Sequence, residues 1–368
     1  MYINITESNT KRLELNYLCF SQIAYVIDVS FDFVKRHYSL LQASMKSSIK
    51  QIQSPIEDEL KEFEDYFRDS MKSNVALLDK IMYYIVQRKG KQMRPMLVFL
   101  TAQLHGNINK NTHLAASMVE LLHTATLVHD DIVDDADKRR GFFSVSALWK
   151  NKIAVLVGDY LLSKGLLIAL ENDQFHQLKL LSRSVKMVIE GELLQQEKAR
   201  RLDIKEDVYY DIINRKTASL LAASCAVGAS TTTQDKQEIE RMQLFGEKIG
   251  MAFQIKDDLF DYGDKDIGKP RGIDIKEKKM TLPLIYALQN ASKSDRKKYI
   301  KYVSKSEKNK KYVNEVIDFV KSSGGLDYAT QKMFDFQKEA FDILDEFPES
   351  DTKASLKMLV EYVTTRNK

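Results

Sequence analysis

Two stretches of this 368-residue chain carry carboxylates at the same spacing. Asp130, Asp131 and Asp134 form one set, and Asp257, Asp258 and Asp261 form the other. On a helix, Asp130 and Asp134 lie one turn apart on one face, as do Asp257 and Asp261. Like charges so placed cost a helix a few tenths of a kcal/mol. One such set alone reads as a solvated acidic face. Two sets, with cations spread between them, point to a use. Hard divalent cations want oxygen ligands, and Mg²⁺ commonly binds through a few carboxylates plus the phosphates of a substrate. The arginines Arg139 and Arg140 just past the first set, with the chain's scattered lysines, could hold the phosphates. Arginine forks match phosphate oxygens, and lysine supplies point charge.

Helices must position these groups. Upstream of Asp130, the apolar residues Leu114, Met118, Leu121, Ala125, Val128 and Ile132 recur at alternating spacings of four and three. That is the stripe of an amphipathic helix, lying opposite Asp130 and Asp134. His123 and Leu127 fall on the aspartate side. Around the second set, Gln254, Asp257, Asp258 and Asp261 share one face. Met242, Phe245, Ile249, Ala252, Phe253, Leu259 and Phe260 share the other. Lys256 falls among these apolar positions, where only its stem can be buried.

Other helices follow from caps and breakers. Ser54-Pro55 opens one, with Glu57, Asp58 and Glu59 suiting its N-terminal dipole. Leu77 to Val86 reads as the next, ended by Gly90, and Pro95 opens another, so Lys91 and Arg94 lie at a turn. Val155 to Leu170 is mostly apolar and reads as a central helix. Val185 to Gln196 is a helix with Glu192, Gln195 and Gln196 as polar lining. Asp207 to Ala229 carries Lys216-Thr217 in its middle. After Asp261 comes a Gly- and charge-rich stretch to Lys279. It is long for a helical domain, where connections of about 2–8 residues are usual, and it reads as a lid. Lys-rich helices around Tyr299 to Val320, a Ser322–Gly325 break and final helices to Val363 read as a solvated face.

Composition agrees. Glycine (14) and proline (5) are scarce, which favours an all-α protein. A net charge of +4 gives no global case for nucleic-acid binding. Cys19 and Cys225 lack metal-ligand spacing and imply a reducing compartment. No uninterrupted apolar run reaches about 18 residues, so no membrane span is expected. The start of the chain lacks a secretory pattern, so a cytoplasmic location is expected, with at most peripheral membrane contact.

In this order the motifs resemble the trans-isoprenyl (polyprenyl) diphosphate synthases, of the long-chain octaprenyl type. The resemblance rests on Gly90-Lys91-Gln92-Met93-Arg94-Pro95, the first acidic set with Arg139-Arg140-Gly141, and Gly158-Asp159-Tyr160-Leu161-Leu162. It continues through Lys216-Thr217, the second acidic set, and Gly268 to Asp274 followed by Lys279-Met280-Thr281-Leu282-Pro283. The family usually has Gly-Gly-Lys-Arg where this chain has Lys89-Gly90-Lys91-Gln92. The resemblance implies an all-α isoprenoid-synthase bundle around a deep central pocket. It assigns residues 45–368 to the synthase domain and leaves 1–44 as an extension outside it. It implies a homodimer that condenses an allylic diphosphate with isopentenyl diphosphate, head to tail, to a long all-trans polyprenyl diphosphate of the kind used for a quinone side chain. The implied cofactor is Mg²⁺, on Asp130, Asp131, Asp134, Asp257, Asp258 and Asp261. Asp130, Asp134, Asp257, Asp258 and Lys216 would be catalytic. Lys91, Arg94, His123 and Arg140 would hold isopentenyl diphosphate. Arg139, Lys216, Thr217, Gln254, Lys269 and Lys279 would face the allylic substrate. In this family the side chains four and five residues before the first aspartate limit product length. Here they are Thr126 and Ala125, both small. Class I terpene cyclases share a first acidic motif but carry an Asn/Ser/Glu motif in place of the second. A non-catalytic partner subunit should have lost aspartates or the arginine pair, and this chain keeps both.

Overall fold

Helices form almost everywhere the pattern asks for them. The computed structural model describes residues 49–88, 90–139, 141–199, 202, 204–263 and 271–366. The 1–44 extension, Arg140 and Lys269 lie outside the described residues. A 3₁₀ turn at Ser54–Ile56, with Pro55 in its first turn, leads into α1, Glu57–Ser70. α2 spans Ala76–Gln87 and α3 spans Met93–His105. α4, Lys110–Val133, starts at a reciprocal cap between Asn109 and Thr112 and ends inside the first acidic set. A two-stranded hairpin follows, β1 Lys138–Arg139 against β2 Phe142–Phe143. Then come α5 Val145–Trp149, α6 Asn151–Glu171 and α7 Phe175–Ala199. α8, Glu206–Ile213, runs through a π-helical turn, Asn214–Ala218, into α9, Ser219–Ala229. α10 is Lys236–Phe260, α11 Ile273–Lys276 and α12 Leu282–Gln289. α13 Lys293–Ser304, α14 Lys310–Ser322, α15 Gly325–Asp345 and α16 Asp351–Thr365 complete the chain.

The middle of the bundle is α9. All of its residues are buried, and α3, α7 and α10 pack around it. α6, read above as central, sits differently. Ala154, Val157, Leu161 and Ile168 are buried, with α4 as its main neighbour, while Leu156, Leu167 and Leu170 are at least half exposed. A helix that is apolar all round need not be a core helix; one of its faces can await another surface. By length and composition alone α6 could also cross a membrane, which the search for an uninterrupted run did not show. Cys225 is buried on α9, where the apolar surroundings push its thiol pKa up.

Candidate active site

The last turn of α4 carries the first acidic set. Asp131 is buried and accepts from Arg139 Nε at 2.5 Å, so the hairpin arginine is spent on the neighbour of the ligand-facing positions. Burial lifts the Asp131 carboxyl above its ordinary value although Arg139 pulls the other way. Asp130 is pushed up to about 6, first by burial; Lys216 and Arg139 lower it, while Glu192 and Asp134 raise it. Asp134 caps the helix and is exposed. His129, just before the set, approaches α6 where residue 158 is glycine. A Cβ there would lie 2.1 Å from His129 Nε2, which explains the glycine of the Gly158-Asp159 motif. The same nitrogen lies 3.5 Å from Asp159.

Lys216 and Thr217 stand in the π-helical turn. One extra residue in the turn bulges the backbone and re-aims side chains, and such turns are frequent at functional sites. Here α7 comes close enough that a Cβ on Gly191 would lie 2.8 Å from Lys216 N. The next residue, Glu192, ion-pairs with Lys216. Thr217 Oγ1 donates to Gln254 Oε1 at 2.7 Å, and Gln254 Nε2 donates to Asp258 Oδ1 at 2.9 Å. Tyr209 OH donates to Asp258 Oδ2 at 2.7 Å. Both Asp258 oxygens are therefore engaged by protein donors. Burial, then the charge of Asp274, raises its carboxyl well above the ordinary range.

The other members of the second set are also held. Asp257 pairs with Arg366, one residue past α16; the guanidinium lies over the Phe253 ring, 4.0 Å from its centroid, and donates to the Phe253 carbonyl. Asp261 Oδ1 accepts from Ile273 N–H at 2.8 Å, and the backbone N–H groups of residues 273–275 favour its charged form. Burial and Asp274 push Asp261 up to about 6. Lys256 lies half-buried over the Phe260 ring, and burial lowers its pKa. Lys279 ion-pairs with Asp274 and Glu277 and lines the same cleft as Asp258. Burial disfavours its charge, but Asp274, Glu277 and Asp134 outweigh burial and raise its pKa. An open cleft of about 600 Å³ is lined by Lys216, Thr217, Gln254, Asp258, Asp274 and Lys279.

A second basic group assembles where α3 begins. Gln92 takes a left-handed φ of 52° before the helix. Arg94 Nη1 lies 2.9 Å from His123 Nε2. Guanidinium can only donate, so Nε2 accepts and the proton sits on Nδ1. Lys91 Nζ donates to Tyr362 OH at 2.5 Å, which brings α16 to this corner as well. Ala125 is fully buried and Thr126 is turned back on the His123 carbonyl. Neither lines the cleft. Sequence reasoning missed Tyr209 and Arg366 and left Glu192 as lining. Tyr209 lies two turns before Lys216, a spacing that could have flagged it. Arg366 had no local signal. A further group of Glu59, Glu62 and His113 lies on α1 and the start of α4. There His113 Nε2 contacts Glu59 at 2.8 Å and packs edge-on against Phe99, a tie between helices.

Comparison with known proteins agrees with this site. Residues 75–320 match the polyprenyl synthetase family. The chain is 34% identical, over 86% of its length and 97% of the relative's, to an all-trans-nonaprenyl-diphosphate synthase (geranyl-diphosphate specific) of Rhodobacter capsulatus. It is 35% identical, over 77% of its length and 88% of the relative's, to a short chain isoprenyl diphosphate synthase of Methanothermobacter thermautotrophicus. A polyprenyl synthase from Caulobacter crescentus, solved with calcium and isoprenyl diphosphate, superposes with a TM-score of 0.81 at 30% identity. That superposition covers 87% of this chain and 98% of the other. The fold is the all-α isoprenoid-synthase bundle. The chain belongs to the polyprenyl synthetase family, and it is a prenyltransferase.

Proposed function

We propose that the protein condenses isopentenyl diphosphate with an allylic diphosphate, using Mg²⁺, and releases a long all-trans product of octaprenyl type suited to a quinone side chain. The observation that carries this is the one cleft that gathers Lys216, Thr217, Gln254, Asp258 and Lys279, with the first acidic set near enough for its charges to be felt there. Asp130 feels Lys216, and Lys279 feels both Asp134 and Asp274. The donor set suits a hard divalent cation: clustered carboxylates, with Asp130 and Asp261 raised to about 6. Asp130, Asp134 and Asp257 would hold Mg²⁺, with Asp131, Asp258 and Asp261 behind or beside them. The bound metal would supply Lewis-acid stabilisation of the departing pyrophosphate.

The chain's own groups do the rest. Lys216, Lys279 and Arg139 place fixed positive charge where negative charge develops as the allylic C–O bond breaks, and Lys269 joins them by resemblance. Lys216 must exchange Glu192 for the diphosphate. Thr217, Gln254 and Asp258 form one hydrogen-bonded line that fixes the Gln254 amide beside the allylic substrate. Lys91, Arg94, His123 and, by resemblance, Arg140 hold isopentenyl diphosphate with its double bond aimed at the cation. By resemblance, small side chains at Ala125 and Thr126, neither of which lines the cleft, would set no floor against a long product.

The proposed assembly is a homodimer. Leu156, Leu167, Leu170, Phe175, Ile189 and Leu193 on α6 and α7 are each half exposed or more. Soluble monomers rarely leave large apolar patches uncovered. Light scattering on the eluting protein should give twice the chain mass; a monomer would contradict it. The activity test is incubation with labelled isopentenyl diphosphate, Mg²⁺ and a set of allylic primers. Long polyprenyl diphosphates are expected. Mainly farnesyl or geranylgeranyl diphosphate would refute the length, and no elongation with any primer would refute the function.

A further inference from the structure

Charge is unevenly spread over this chain. Residues 293–311, which run from the start of α13 into α14, hold nine basic residues against two acidic ones, a local +7 in a protein whose total is +4. The rest of the chain is therefore slightly acidic. On α13 the burial of Val303, with Tyr299, Ile300 and Tyr302 partly covered, fixes the inward face. At about 100° per residue, Lys293, Lys297, Lys298, Lys301 and Lys305 fall together on the opposite face, and all five are exposed. Lys310 and Lys311 extend the patch at the start of α14, also exposed. Of the two acids, Asp295 is engaged in capping α13, where its backbone N–H donates to Ser292 Oγ and its carboxylate accepts from the same hydroxyl. Among the described residues none of these seven lysines is ion-paired with a carboxylate. A stripe of like charge repels itself, so the face is poised for an anionic surface rather than for its own chain.

We propose that this face docks the enzyme reversibly on an anionic membrane surface. The proposal rests on the reading above that the product is a long prenyl chain with a diphosphate head, a molecule that belongs in a bilayer. Two observations narrow the partner. The aromatic rings amid the lysines are already spent: Tyr299 stacks on Phe319 at 3.8 Å and Tyr302 on Tyr312 at 4.4 Å. Single-stranded nucleic acid stacks its bases on open ring faces, and here each of these rings already has one face taken by another ring. The patch also lacks exposed large apolar side chains, so attachment is electrostatic, without insertion. Its placement serves the site. Ser306 Oγ, in the turn between α13 and α14, donates to the Ile275 carbonyl at 2.7 Å. Ile275 adjoins Asp274, which lines the cleft. A docked α13–α14 pair therefore braces the segment that carries Asp274 and Lys279.

Vesicle flotation with the full chain tests this without reference to turnover. Vesicles of phosphatidylcholine with about one-third phosphatidylglycerol should carry the protein at low salt, and pure phosphatidylcholine should not. Raising the salt several-fold, so that the screening length shrinks, should release it. The triple variant Lys297→Glu, Lys298→Glu, Lys301→Glu should lose at least about tenfold in vesicle binding, with melting temperature and turnover on a soluble short primer unchanged. The milder Lys297→Gln, Lys301→Gln pair should show a smaller loss. Equal binding to neutral vesicles, or binding unmoved by the triple variant, would overturn the proposal. So would a patch-dependent affinity for single-stranded RNA or for an acidic protein without any for anionic vesicles. Failure of elongation alongside intact, charge-dependent docking would refute the proposed activity and leave the docking surface standing.

Discussion

The two acidic sets share a spacing and differ in everything around it. The first ends its helix. Asp134 faces solvent, Asp130 looks toward Lys216, and only Asp131 is tied down, by Arg139. In the second, every member has a protein partner: Asp257 the Arg366 guanidinium, Asp258 the Tyr209 hydroxyl and the Gln254 amide, Asp261 the Ile273 N–H. Among the described residues the first set has one side-chain partner, and the second is held by a ring of donors. Equal sequence patterns therefore carry unequal work. The first set should answer to charge removal, and the held set should answer as well to loss of its supports.

The largest effect should come from the ligand-facing positions. Asp130→Asn or Asp257→Asn is expected to lower turnover by at least roughly a hundredfold while the fold persists, read by steady-state rate and circular dichroism. Near-normal rates for both at saturating Mg²⁺ would sink the site assignment. The stability arm has the opposite sign. Burial raises the Asp130 pKa from 3.8 to about 6, so the folded state holds its proton longer than the unfolded chain. The associated stability is present below pH 4 and is lost as pH rises through 6. Metal-free Asp130→Asn should thus melt higher than wild type at pH 8, by about 4 °C for roughly 3 kcal/mol relieved, and no higher at pH 4. A lower melting point at pH 8 would break that part of the comparison.

Next come the supports of the second set. Arg366→Met should leave Asp257 unpaired and cost about tenfold in turnover, with a shifted Mg²⁺ half-saturation; Arg366→Lys should restore part of both. Tyr209→Phe removes a donor from a buried carboxylate. It should cost about 1–3 kcal/mol by denaturant titration and have a smaller effect on rate. If Arg366→Met left both rate and Mg²⁺ response untouched, the held set would be a structural feature only.

Ala125→Tyr should leave early condensations fast and shorten the product, read by chromatography; an unchanged length distribution would remove Ala125 from the pocket. The smallest effect is expected from the N-terminus. A chain beginning at Met45 should match the full chain in melting temperature within error, because residues 1–44 lie outside the family resemblance.

Periodicity made most of the fold legible. The stripe through Leu114–Ile132 marked α4, and the wheel around Gln254 marked the end of α10. The π-helical turn at Asn214–Ala218 was not legible, since one extra residue inside a continuous helical pattern leaves no breaker behind. Nor was the setting of α6, because composition alone does not separate a core helix from one with an uncovered face. In the site, the aspartates and the face they share with Gln254 could be chosen from type and spacing, whereas Lys216 and Lys279 stood out only through the family resemblance. The Glu192–Lys216 pair joins separate helices, and the Arg366–Asp257 pair spans 109 positions. Such pairs are products of tertiary packing, and no local window contains them.

The central claim is that both acidic sets serve one metal–diphosphate site. It is tested most directly by calorimetric titration of a non-hydrolysable allylic diphosphate analogue with Mg²⁺, into wild type, Asp130→Asn, Asp257→Asn and the double variant. One shared site requires each single change to cost nearly as much binding as the two together, a large coupling between residues far apart in sequence. Losses that simply add would place the two sets in separate sites and contradict the account.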